Sequence, residues 1–264
     1  MKSVFCRATL LITTLLMIFS CGKTYTESEF KEFRITDASG TVRECGIYLP
    51  VGYSDKQEFP VIYMFDGLIF KDNNYKHLMD SLIGFKLISP VVIACTYENK
   101  EQIPGYRISY RNAEFVENIS KDDDKLKDLF DKHYSFATQD FIKYVEKHYG
   151  VQRQRDGRIF YGTSNSADFG ITVSMRDPSL FAEYWCYSPV YSDLSHYGML
   201  EDDANYRLCW GLKEEGNNDY FPALVNAIRK RGGHVYSWAF EGGHDRIFWR
   251  KCFKDELIHR FPYK

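Results

Sequence analysis

The sequence predicts an α/β fold: a mostly parallel central sheet with helices on both faces and an antiparallel hairpin at its start. Three observations carry this reading. The runs Val61-Ile62-Tyr63-Met64-Phe65 and Val91–Thr96 are continuously apolar, as in strands covered on both faces. Strand-like runs then alternate with helical patterns, the signature of parallel strands joined by crossovers. The first two strand-like segments are separated only by the turn around Asp37-Ala38-Ser39-Gly40, which makes them a hairpin. The chain has 264 residues, 44% of them hydrophobic, enough for a full core within one domain. Lys and Arg number 34 against 36 Asp and Glu, for a formal charge of −2. That balance offers no basic surplus to neutralise phosphates and excludes a nucleic-acid partner from the expectation.

Taken in chain order, the first segment lies apart from the fold. Lys2 and Arg7 precede a stretch, Ala8 to Phe19, that is apolar apart from three threonines. It is short for a bilayer span and reads as the core of a signal peptide, residues 1–20. The following Ile18-Phe19-Ser20-Cys21-Gly22 resembles a bacterial lipoprotein cleavage site. That resemblance implies acylation of the Cys21 sulfur and anchoring to a membrane of the bacterial cell envelope on its periplasmic or outer-surface side; the polar residues that follow read as a short tether over 21–29.

The folded domain is then expected over residues 30–264. Phe30–Thr36 alternates and pairs with Val42–Leu49, and Pro50-Val51-Gly52-Tyr53 ends the hairpin. Strands follow at Val61–Phe65 and Val91–Thr96, with a helix at Tyr75–Phe85 between them. Residues 99–131 are polar, read as irregular, and are too long for a simple connection; such insertions often shape a cleft. Phe136–His148 places Phe141, Ile142 and Val145 on one helical face. Arg158–Tyr161, Phe181–Tyr187, Tyr206–Trp210 and Val235–Phe240 read as further strands. Ala167–Met175, Ala223–Arg231 and Asp245–Glu256 read as helices.

Cysteine and motif content narrow the chemistry. Cys45, Cys95, Cys186, Cys209 and Cys252 remain once Cys6 and Cys21 are set aside, and most sit in apolar runs. They read as buried thiols, with one disulfide left open. No CxxC pair, HExxH, EF-hand loop, P-loop or GxGxxG occurs, so neither metal nor cofactor is expected. One segment does carry chemistry. Arg158–Tyr161 runs through Gly162-Thr163-Ser164-Asn165-Ser166 into a helix, which is a strand, a tight turn and a helix with a serine at the bend. The turn needs small residues on both sides of Ser164. Gly162 is one, and Ser166 stands where a second glycine would complete GxSxG. The alternative for a serine in this place is an ordinary helix cap.

Tyr48-Leu49-Pro50-Val51-Gly52-Tyr53, with Phe59–Gly67 after it, resembles the esterase D and enterochelin-esterase-like branch of the α/β hydrolases. Feruloyl esterases and antigen 85-type mycolyltransferases belong to the same broad group. Arg111–Phe115, Asp177–Phe181 with Tyr187-Ser188-Pro189, and Gly242-Gly243-His244-Asp245 are similar as well. The resemblance spans roughly residues 30 to 260. It implies an α/β-hydrolase fold and a triad in the order serine, acid, histidine. Ser164 is then the nucleophile and His244, in a glycine-opened loop, the base. By the family's G-x-x-D/E step after a strand, Glu214 is the acid, with Glu215 and Asp219 as competitors. Two backbone N–H groups would form the oxyanion hole: Asn165, which follows the nucleophile, and, by similarity to the Asp-Gly-Leu pattern, Leu68. Asp66 precedes the serine, against the order, and is read as shaping its loop. Arg107, Arg111 and Glu114 are read as a structural ion-pair group or as the rim of the site, and Asp245 as supporting His244.

The expected activity is therefore serine carboxylic-ester hydrolysis through an acyl-enzyme, on an acetyl or feruloyl ester of a carbohydrate or a siderophore-type ester. An acyltransferase using the same intermediate, or a decayed binding lipoprotein on the same scaffold, are the alternatives.

Overall fold

The computed structural model describes residues 25–264, so the signal segment and Cys21 lie outside the described residues. Eight strands form one sheet: β1 (Glu29–Thr36), β2 (Val42–Leu49), β3 (Val61–Met64), β4 (Val92–Thr96), β5 (Arg158–Thr163), β6 (Glu183–Tyr187), β7 (Asn205–Gly211) and β8 (His234–Phe240). Their spatial order is β1-β2-β4-β3-β5-β6-β7-β8. β1 runs antiparallel to β2, and β2 antiparallel to β4. Every pairing from β4 to β8 is parallel.

The apolar runs behave as two-faced strands. Along β3 and β4, Val61, Tyr63, Val92 and Ala94 enter one core, and Ile62, Met64, Ile93 and Cys95 enter the other. This is the alternation of a pleated strand, with apolar residues in both registers because both faces are covered. The first core is rich in rings: Phe65 stacks on Phe160 at 4.7 Å and meets Phe169 at 5.5 Å. The second holds the helix α2 (Tyr75–Gly84) and the C-terminal helix α9 (Arg246–Arg260), where Tyr161 packs on Phe253. All five described cysteines are free and buried.

One expectation needs correction, and the tether carries a contact with the domain. The end of the tether is held to the body: the Tyr25 N–H donates to the Tyr53 carbonyl at 2.9 Å, and its ring sits edge-on to Tyr53. Residues 99–131 are largely helical rather than irregular, with α3 (Tyr110–Phe115), α4 (Glu117–Ser120) and the start of α5 (Asp124–Ser135). The signals were local. Ser109 and Asn112 form a reciprocal capping box, and Asp123 accepts the N–H groups of Lys125 and Leu126. Leu126, Phe130 and His133 then recur on one buried face of α5. A high charge density hid that stripe. The chain continues through a wide π-turn, Phe136–Phe141, into α6 (Ile142–His148). A short helix α1 (Leu68–Asp72) after β3 went unread. The helices α7 (Asn165–Arg176) and α8 (Tyr220–Lys230) complete the layers.

Candidate active site

The parallel strands β5, β7 and β8 end on one edge of the sheet, and the three residues expected to act together follow those ends. Ser164 lies between β5 and α7 with φ +58° and ψ −125°, a conformation that costs on the order of 1–3 kcal/mol for a residue bearing a side chain. The bend is feasible because its flanks are small. A Cβ on Gly162 would lie 2.3 Å from the Ser166 carbonyl oxygen. At the other flank, Ser166 is fully buried yet satisfied. Its hydroxyl accepts the Thr163 N–H at 2.8 Å and donates to the Thr163 carbonyl at 2.9 Å. The serine in place of the second glycine thus ties the turn together.

His244 leaves β8 behind Gly242 and Gly243. Its loop presses on the end of β7, where a Cβ on Gly211 would lie 2.4 Å from the Gly242 oxygen. That contact aims the imidazole at both partners: His244 Nε2 is 2.9 Å from Ser164 Oγ and Nδ1 is 2.8 Å from Glu214 Oε2. With Nδ1–H donating to the carboxylate, Nε2 is free to accept the serine proton. The imidazole is 40% exposed while the Glu214 side chain is 4% exposed, so the base faces the cleft and the acid lies behind it. The Trp249 ring packs edge-on against His244 with centroids 4.7 Å apart.

Glu214 is held from every side. Its Oε1 accepts the Ser188 hydroxyl and the Gly211 N–H, both at 2.6 Å. Ser188, at φ +51°, in turn accepts the Trp249 Nε1–H at 2.9 Å. Burial pushes the Glu214 carboxyl up, but bonds from His244, Ser188 and the Gly211 N–H outweigh it and hold the group below the ordinary carboxylate range. Of the competitors, Glu215 is exposed and Asp219 is taken up capping α8 at the Tyr220 N–H. Asp245 turns away to cap α9, accepting the Ile247 N–H. The roles of Ser188 and Trp249 were invisible in the sequence, since both act through a bend that brings β6 beside α9.

Ser164 and His244 open into a cavity of about 260 Å³ walled by Asp66, Glu98, Lys100 and Arg111. Asp66, at φ +67°, receives the Arg111 Nε–H on both oxygens, at 2.7 and 2.8 Å, so it shapes the loop as expected. Arg111 rims the cavity, whereas Glu114 pairs with Arg43 at 2.5 Å; the two do not join Arg107 in one group. The Asn165 N–H opens α7 beside Ser164, one of the donors a helix leaves free at its start. The Leu68 N–H points at a group the sequence reading did not single out: it donates to Glu98 Oε2 at 3.3 Å. Glu98 is buried beside Lys100, 2.8 Å away. Burial, then the Asp66 charge, raise its pKa above the usual range despite Lys100. A larger, open depression of about 910 Å³ lies at the opposite ends of β6–β8. Its Arg207 and Arg260 already lie beside Glu183, and none of the residues above reaches it.

A parallel sheet of this order, with a serine at a strained strand-to-helix bend and an imidazole against it, defines an α/β hydrolase of the serine type. Its position among them is narrower. Residues 37–220 match the family described as "Putative esterase", and the chain belongs to that family. It is a carboxylic ester hydrolase. Solved structures share the fold. A ferulic acid esterase superposes with a TM-score of 0.66 at 16% identity, covering 89% of this chain and 98% of its own. The feruloyl esterase module from Clostridium thermocellum, complexed with sinapinate, gives 0.65 at 15%, covering 89% and 88%. The enterobactin esterase from Shigella flexneri gives 0.67 at 16%, covering 87% of this chain, which spans 58% of that one.

Proposed function

We propose that the chain hydrolyses esters through a Ser164–His244–Glu214 triad. The observation that carries this is the continuous run of hydrogen bonds from Ser164 Oγ through both imidazole nitrogens to a buried, fully bonded carboxylate. As Ser164 Oγ forms its bond to the ester carbon, its proton moves to His244 Nε2 and the carbonyl electron pair moves onto oxygen. The N–H group of Asn165 is suited to that oxyanion, and that of Leu68 becomes so once Glu98 Oε2 releases it, each such donor contributing about 3 kcal/mol. Collapse breaks the ester C–O bond and His244 returns its proton to the departing alcohol. Water, activated by the same imidazole, then frees the acid and restores Ser164. Glu214 stays ionised throughout and stabilises the imidazolium.

The substrate class this reading favours is an acetyl or feruloyl ester on a carbohydrate, with a siderophore-type ester as the other member supported by the structural neighbours. Steady-state kinetics on aryl, acetyl-sugar and feruloyl esters test it. Glu214→Gln is expected to lower kcat by 10–10⁴-fold, on the order seen when a triad loses its acid, and Glu215→Gln to change it little. The reverse ranking would move the acid to Glu215. Lipid attachment at Cys21 is part of the same proposal, supported by the sequence alone. Cys21→Ala should release the exported protein from the membrane fraction or block its processing, and unchanged membrane association would refute that anchor.

A further inference from the structure

A second cavity, of about 460 Å³, adjoins the catalytic one and shares Glu98 and Lys100 with it as a common wall. Its volume is within the range of small-molecule sites. It is built where the β1–β2 turn, the segment after β4 and the helices α3 and α5 meet, so the inserted helices form its far side. Its frame is fixed. The Tyr97 N–H donates to the Glu44 carbonyl and its hydroxyl to Glu32, while Arg43 is clamped between Asp37 at 3.0 Å and Glu114 at 2.5 Å.

The lining states what could fill it. Seven charged residues line it. Among the described residues all but Glu101 are held in ion pairs: Arg43 with Asp37 and Glu114, Lys100 with Glu98, Lys132 with Asp128, and Glu44 with Arg34. An anion would face four carboxylates against three cations, all three already engaged. An apolar chain would strip water from those charges with nothing in return. A neutral group dense in hydroxyls can instead exchange hydrogen bonds with them, since each hydroxyl both donates and accepts. The half-buried Tyr110 on α3 lines it as well and offers an apolar face for the C–H side of a sugar ring.

We infer that this cavity is a glycosyl subsite: it holds the sugar portion of an ester whose carbonyl carbon sits at Ser164 in the adjoining cavity. The inference rests on the esterase reading above and selects the carbohydrate ester from its two substrate classes. The glycosyl unit lies across the Glu98–Lys100 pair, and the acyl group remains by Asp66 and Arg111.

The test compares esters that differ only in the alcohol: methyl acetate against an acetylated xylo-oligosaccharide, and methyl ferulate against a feruloylated arabino-oligosaccharide. On the full chain, the sugar ester of one pair is expected to show a kcat/KM at least tenfold above its methyl ester. Free oligosaccharide should inhibit competitively. Val42→Trp fills the cavity from an exposed position, and Lys132→Ala removes a wall from the outer helix. Each is expected to cut the ratio of sugar-ester to methyl-ester kcat/KM by fivefold or more, mainly through KM. Methyl-ester turnover with no sugar preference, or a preference that survives both substitutions, overturns the subsite and leaves the esterase intact. No turnover of any ester, with Ser164 inert to a fluorophosphonate, overturns the esterase reading and the subsite together.

Discussion

In the proposed mechanism Glu98 sets a condition on turnover that the triad alone does not. Its carboxylate occupies the Leu68 N–H, one of the two donors suited to the oxyanion. A negative charge there opposes the charge that develops in the transition state, by about 1 kcal/mol across a few ångströms at a protein-like dielectric once Lys100 partly offsets it. Because burial and Asp66 raise its pKa, Glu98 is neutral to a higher pH than an ordinary carboxyl and charged above that. Glu98→Gln is therefore expected to raise kcat a few-fold at the alkaline end of the profile, where the wild-type group is charged, and to lose that advantage as pH falls and the wild-type group takes up its proton. A pH–kcat profile of both proteins checks this, and an equal effect at both ends would show that Glu98 acts by structure rather than charge.

At the scale of elements, two features distinguish intrinsic stability from function. The bend between β5 and α7 keeps its serine flank through the two Ser166–Thr163 bonds. Ser166→Gly would complete the GxSxG pattern, yet it removes both bonds and adds backbone freedom, so it is expected to lower stability by about 1–2 kcal/mol with activity largely kept. Urea unfolding and kcat measured together check it; a stabilised variant would contradict this account of the bend. The second feature is His133 on α5. It is buried against Phe115, Phe136 and Phe169, and neither ring nitrogen has a hydrogen-bond partner among the described residues. Burial, then the Arg43 charge, hold its pKa well below 6.5, against a smaller opposing pull from Asp37. The unfolded chain thus takes up a proton near pH 6.5 that the folded chain refuses, and His133 costs stability as pH falls below that value, by about 1.4 kcal/mol per unit. His133→Leu should leave stability near wild type at pH 8 and gain on it progressively down to pH 5 in thermal or urea melts. Parallel pH profiles would show that the imidazole is protonated in the fold.

Across the whole molecule, what the sequence disclosed follows from what is local. Apolar runs such as Val61–Phe65 are two-faced strands wherever they sit, and a small-residue bend before a helix announces itself in five residues. The order of Ser164, Glu214 and His244 is also a property of the chain, and the structure brings all three within hydrogen-bond reach. What stayed hidden depends on distant pairings. Ser188 bonds Glu214 and Trp249 across 26 and 61 positions, and Glu98 reaches Leu68 across 30. The helices α3–α5 were masked by charge, since α5 buries only Leu126, Phe130 and His133 among its charged residues and the caps at Ser109 and Asp123 resemble loop residues.

The proposed mechanism depends on one activated oxygen, Ser164 Oγ. A fluorophosphonate reacts with a serine whose proton a neighbouring imidazole can take, and an ordinary helix-cap serine lacks that activation. The direct measurement is therefore fluorophosphonate labelling of the purified full chain, read by intact mass and peptide mapping, in wild type, Ser164→Ala and His244→Ala. The account predicts a single adduct at Ser164 in the wild type, none in Ser164→Ala, and labelling slowed at least a hundredfold in His244→Ala. A folded wild-type protein that takes no label, or one labelled at another serine, would contradict it.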